Sequence, residues 1–142
     1  MASYFQGAIK SGDGFSETST GVGTAVLSQT ALIGFDADLV QEATFVLPRD
    51  GQIVDIIVDV LTAYDSAVSA TLTVGTASAG TQYAGAVDAK VAGRVSPTFT
   101  AAQLAAMDDI DANTTAYATI TSVGQPTAGS VRVTVLYTGG SK

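Results

Sequence analysis

The run Ile53-Val54-Asp55-Ile56-Ile57-Val58-Asp59-Val60 places six β-branched residues in eight positions. β-Branched side chains lose χ1 freedom against the preceding turn of a helix but pack well on a pleated surface, so this stretch is a strand. Side chains alternate between the two faces of a strand, which puts Val54, Ile56, Val58 and Val60 on one side. Asp55 and Asp59 share the opposite side with Ile53 and Ile57. The even-numbered face is expected to be core.

The same chemistry recurs along the chain. Val26 to Ile33, Ala43 to Leu47, Gln52 to Leu61, Ala70 to Val74, a short piece near Val95 to Phe99, Thr115 to Val123 and Ser130 to Thr138 are short runs rich in Val, Ile and Thr. They predict about seven strands. In the last of them Val131, Val133, Val135 and Tyr137 alternate with Ser130, Arg132, Thr134 and Leu136, a half-buried strand with an outward Arg132. Leu47-Pro48-Arg49-Asp50-Gly51 reads as a tight turn, and its shortness predicts that the strands on either side are antiparallel neighbours. Two segments have helical patterns: Gln82 to Ala92, with Tyr83 and Val87 four apart, and Thr100 to Met107, with Thr100 as N-cap. Each is short enough to bridge strands across one end of a sandwich. No internal repeat is visible. The expected fold is all-β: an antiparallel β-sandwich of Greek-key or jelly-roll type with one or two short helices.

Residues 1–24 differ from the rest. Gly7, Gly12, Gly14, Gly21 and Gly23 alternate with Ser and Thr, so the segment is read as an extended arm ahead of a single domain at 25–142. By composition alone it is a flexible tail. Tyr4, Phe5, Ile9 and Phe15 are the side chains that would anchor such an arm on a neighbouring subunit, within a reach of up to about 80 Å.

Composition closes many functional classes. The chain of 142 residues has no His, Cys or Trp, which removes imidazole bases, thiol nucleophiles, disulfides and ordinary zinc or haem ligation. Its formal charge is −7, and its six basic residues, Lys10, Arg49, Lys90, Arg94, Arg132 and Lys142, are scattered in sequence. Nucleic acid and anionic membranes are therefore not expected partners. Met1 to Lys10 lacks a signal-peptide pattern, and no apolar run is long enough for a membrane helix. Only 13% of residues are charged, against about 25% in ordinary domains, so small neutral side chains must cover much of the surface.

The remaining candidates for chemistry are weak. Asp109, Asp111 and Asn113 have the spacing that opens a calcium loop, but the following Gly is missing and Ile120 stands where the bidentate Glu belongs. No metal or other cofactor is expected. Asp55 and Asp59 are about 13 Å apart on a strand, beyond the roughly 5–9.5 Å that a glycosidase pair needs, and Asp36 with Asp38 fits a loop. No motif surrounds the Lys10-Ser11 pair or Lys90. The chain is expected not to be an enzyme.

One resemblance goes further. Ala43-Thr44-Phe45-Val46-Leu47-Pro48-Arg49-Asp50-Gly51-Gln52 leading into the strand to Val60, then Ala70-Thr71-Leu72-Thr73-Val74-Gly75-Thr76, Tyr83-Ala84-Gly85-Ala86-Val87-Asp88, Ala116 to Val123, and Gly129-Ser130-Val131-Arg132-Val133-Thr134-Val135-Leu136-Tyr137 follow in this order. This part of the chain resembles small structural proteins of tailed bacteriophages, above all the capsid decoration or cement proteins. The resemblance implies a jelly-roll-like body, a homotrimer, and the major capsid protein as partner, at the outer surface of a virion assembled in a bacterial cytoplasm. The alternative it leaves is a receptor- or glycan-binding head of a tail fibre. In either case the contacts would come from the arm and from apolar residues on outer strand faces, with Ile53, Ile57 and Leu136 as candidates that could equally be second-face core.

Overall fold

A computed structural model describes residues 25–139. Eight strands and one helix follow in the order β1 (Val26–Gly34), β2 (Val40–Leu47), β3 (Gln52–Thr62), β4 (Ser69–Gly75), β5 (Ala84–Asp88), β6 (Gly93–Val95), α1 (Ala101–Asp108), β7 (Thr114–Val123) and β8 (Ser130–Thr138). They form two antiparallel four-stranded sheets, the first ordered β1-β8-β3-β6 and the second β2-β7-β4-β5. Two sheets interleaved in this way are a jelly roll. The expected sandwich is therefore the one observed.

The core lies between the sheets. Ile56, Val58, Val131, Val133 and Val135 of the first sheet face Phe45, Leu47, Leu72, Val74 and Ile120 of the second, all nearly inaccessible to solvent. Ala116 and Ala118 stand opposite Phe45 and Ala43 on β7, so small residues make room for the aromatic ring. β8 runs down the middle of the first sheet, paired with β1 and β3, and its predicted alternation holds: Val131, Val133 and Val135 point inward and Arg132 outward.

Four expectations need correction. First, the 47–51 turn does not join neighbours. β2 and β3 belong to different sheets, so the turn arches across the core, and Leu47 and Ile53 both point into it. Asp50 adopts a positive φ of 61°, and a Cβ on Gly51 would lie 2.7 Å from the carbonyl oxygen of Thr138.

Second, the even face of β3 is not wholly core. The register shifts between Ile53 and Asp55, leaving Val54 48% exposed while Ile53 turns inward. A bulge inserts one residue and resets the alternation after it. Third, Gln82 to Ala92 is not a helix, for its centre is strand β5. A register shift between Leu72 and Val74 lets Ala84 and Val87, three residues apart, both face the core. Tyr83, just before the strand, is buried as well, so Tyr83 and Val87 show the four-residue spacing of a helix, whereas backbone pairing with β4 requires the strand. Fourth, the short strand near Val95 ends there, spanning Gly93–Val95, so Val95 is the one residue shared with the expected piece.

The second helix pattern is correct. Thr100 accepts from Gln103 N at 3.2 Å and Gln103 Oε1 accepts from Thr100 N at 2.9 Å, a reciprocal capping box. This helix, α1, lies in the connection between β6 and β7, at the end of the sandwich that holds the β2–β3 turn.

Candidate interaction surfaces

The Asp108-to-Asn113 loop is tied to its surroundings. Asn113 Oδ1 accepts from Arg49 N at 2.9 Å, Gln52 Nε2 donates to Asp108 Oδ1 at 3.3 Å, and Ile110 exchanges backbone hydrogen bonds with Asp50 and Gly51. These side chains hold α1 and its exit against the β2–β3 turn. Asp36 Oδ1 accepts from Asp38 N at 2.7 Å and from Gln41 Nε2 at 3.0 Å, a local Asx turn. Among the described residues no group of three or more acidic side chains is placed to hold a metal ion.

Two buried phenols are poor acids. Burial, with the Asp36 charge adding to it, pushes the Tyr64 hydroxyl up to about 12. Burial likewise raises Tyr83. Lys90 Nζ donates to the carbonyl of Ser66 at 2.5 Å. No helix among the described residues is long and apolar enough to cross a membrane.

The outer faces of the two sheets are built differently. On the second sheet six threonines point outward, Thr44, Thr71, Thr73, Thr115, Thr119 and Thr121, together with the exposed Val40, Val46 and Val123. Part of this face is covered by the chain itself. The connection from β4 to β5 folds back over it, Ala79 N donates to Thr119 Oγ1 at 2.9 Å, and Thr119 Oγ1 donates to Glu42 Oε2 at 3.1 Å. Thr119 is fully buried although it points away from the core. Ala79 holds a positive φ of 60°, the backbone cost of that fold-back.

The outer face of the first sheet has no such cover among the described residues. Leu32 on β1 is 64% exposed and Leu61 on β3 is 49% exposed. Ile57 and Leu136 lie diagonally across β3 and β8, both partly buried. Thr30 and Thr134 share a 3.1 Å hydrogen bond beside them. Of the sequence candidates, then, Ile57 and Leu136 are brought together here. Ile53 is core at 3% exposure, and Tyr4, Phe5, Ile9 and Phe15 lie outside the described residues.

One feature of this face is not evident from the sequence. Asp59 pairs with Arg132 across β8 and with Arg94 across β6. Its carboxylate meets Arg94 at 2.6 Å and Arg132 at 2.8 Å, and hydrogen bonds from Arg94 and then Arg132 lower its pKa to about 2. The bonds to Asp59 in turn raise the pKa of Arg94. Two cations far apart in sequence thus stand side by side, 65% and 44% exposed. The readable clue was a charge in the middle of each of two expected strands, at Asp59 and Arg132. Arg94 was hidden because its strand was misplaced.

At the side where β5 and β6 leave the sandwich, a shallow cleft of about 250 Å³ runs between Gly85–Asp88 and Val95–Thr98. At the opposite side Gln29 Nε2 reaches across from β1 to the carbonyl of Val46 at 2.6 Å. That bond gives one edge carbonyl of β2 a partner and fastens the sheets together.

No protein-family model matches the chain, and no curated protein matches it. Among solved structures, a chain of the cyanophage Pam1 capsid asymmetric unit superposes with a TM-score of 0.59 at 21% sequence identity, covering 85% of this chain and 89% of that one. At that identity the likeness is one of fold, and it extends over nearly the whole of both chains.

Proposed function

We propose that this chain is a structural protein of a phage virion, a decoration or cement protein that binds the assembled capsid from outside. It acts as a homotrimer over junctions between major capsid protein subunits and carries out no chemistry. The observation that carries this reading is the fold shared with a chain of a phage capsid asymmetric unit. The order of segments from Ala43 to Tyr137 supports it independently.

The physical basis is linkage. A protein that binds the closed shell and not its separated subunits stabilises the shell by the free energy of binding, and a trimer touching several subunits gains avidity. A surface poor in charge loses little desolvation energy or side-chain entropy when covered. On the uncovered face of the first sheet the leucines and threonines beside the cluster of Asp59 with Arg94 and Arg132 have that character.

The test uses purified protein and capsids stripped of it or assembled without it. Saturable co-sedimentation and a raised capsid melting temperature are expected. Protein that stays in the supernatant, or that binds host cells or a glycan array instead, overturns the reading.

A further inference from the structure

We propose that the outer face of the first sheet receives residues 1–20 of a second copy of this chain. The inference rests on the reading above for self-association only.

The occupant follows from where the remaining chain is attached. Residues 1–24 join β1 at Val26, and β1 is the edge strand of this same sheet. The nine-residue strand is about 30 Å long, whereas 24 residues extend to about 80 Å, so the segment outreaches its own body. Gly21 and Gly23 lie just before β1 and allow it to change direction there.

The chemistry of the two surfaces corresponds. Tyr4, Phe5, Ile9 and Phe15 are the large apolar residues of the segment, and Leu32, Ile57 and Leu136 are the apolar residues of the face, set among Ser28, Thr30 and Thr134. Each covered aromatic side chain contributes roughly 150–250 Å², so with both sides counted one arm reaches the order of 1,000 Å², the scale of a specific contact. The charges also match in order. Lys10 precedes Asp13 and Glu17 in the segment, while Asp55 precedes the Arg94 and Arg132 pair along the face. An extended Lys10 to Asp13 spans about 10 Å and Asp55 to the arginine pair about 13 Å, so Lys10 can reach Asp55 while Asp13 meets the one positive charge that Asp59 leaves unbalanced. The second sheet also exposes Val40, Val46 and Val123, but it carries no such arginine pair and is partly covered by its own β4–β5 connection.

The chain has no cysteine, which makes cross-linking specific. Ser16→Cys and Thr134→Cys, combined in one purified chain without capsids and treated with a flexible bis-maleimide, should give covalent dimers and trimers, with a 16-to-134 peptide pair identified by mass spectrometry. Links confined within single chains, no link, or equal linking when Thr44→Cys replaces Thr134→Cys would overturn the proposal. Ile57→Glu, at a partly buried position on the outer face, tests the face separately. It should lower the mass in solution from trimer to monomer and expose residues 1–20 to protease; unchanged mass and protection overturn the proposal. Because capsids are absent, failure here is distinct from failure to bind a capsid.

Discussion

The two sheets share one core but differ in what covers their outer faces. The second sheet is roofed in part by the β4–β5 connection, pinned by the Ala79-to-Thr119 hydrogen bond and buried tightly enough to hide Thr119. The first sheet, of equal strand number, leaves Leu32 and Leu61 exposed and spends its strongest polar interaction on an Arg-Asp-Arg cluster lying flat on the surface. One face is covered in part within the subunit, although Val40, Val46 and Val123 stay exposed on it. The other is smooth, part apolar and available, which is why it carries the association argument.

The largest expected effect breaks the roof. A Cβ at Gly75 would lie 2.1 Å from Gln82 Oε1 and 2.5 Å from the backbone of Gly80. Gly75→Ala should therefore lift the β4–β5 connection and cost roughly 1–3 kcal/mol in urea unfolding, the usual range for overpacking. A stability within experimental error of the parent would show that the connection is not packed on the sheet.

Thr119→Val keeps the side-chain shape but leaves Ala79 N–H without its acceptor. The expected loss is about 1–2 kcal/mol, with faster amide exchange across residues 76–82 and no change in oligomer mass. Uniform exchange along the chain would contradict the local role.

The next test concerns the bare face and acid. Asp59 has its pKa lowered to about 2 in the folded protein, so its contribution to stability is complete above the ordinary carboxylate value and is lost as pH falls from about 4 toward 2. Asp59→Asn should flatten that part of a melting-temperature profile against pH. Because both arginines are largely exposed, solvent screens the cluster, and the effect at neutral pH should be smaller than that of Gly75→Ala. An unaltered acid profile would count against the ion cluster.

The smallest effect on the fold sharpens the contrast most. Leu32→Ser, at 64% exposure, should change subunit stability by no more than about 0.5 kcal/mol, yet weaken self-association measured by light scattering. Equal association of parent and variant would make Leu32 an ordinary exposed leucine.

Much of the architecture was legible because burial imposes a period of two. Val131, Val133 and Val135 declared the inward face of β8, and Thr100 with Gln103 declared the start of α1, both from local spacing. Legibility failed where a bulge interrupts that period: at Val54, which the alternation put in the core, and at Tyr83 and Val87, whose separation of four looked helical although a strand pairs there. It failed at the 47–51 turn for another reason. A tight turn constrains only its own backbone, and whether the next strand continues the sheet or crosses to the facing one depends on which partners are free to pair.

The candidate site divides in the same way. Ile57 and Leu136 were readable as outward apolar residues on separate strands, and Ile53 was separated from them only by the bulge. That Ile57 and Leu136 meet, that Arg94 and Arg132 flank Asp59, and that one outer face is roofed and the other bare are all consequences of the order in which strands pair. The amino-acid sequence alone determined an all-β chain with little surface charge and no histidine or cysteine chemistry, since those properties follow from residue type and short-range periodicity. Only the tertiary structure decided the jelly-roll strand order and the identity of the open face, because hydrogen bonds between residues tens of positions apart select one pairing among many that local preferences permit equally.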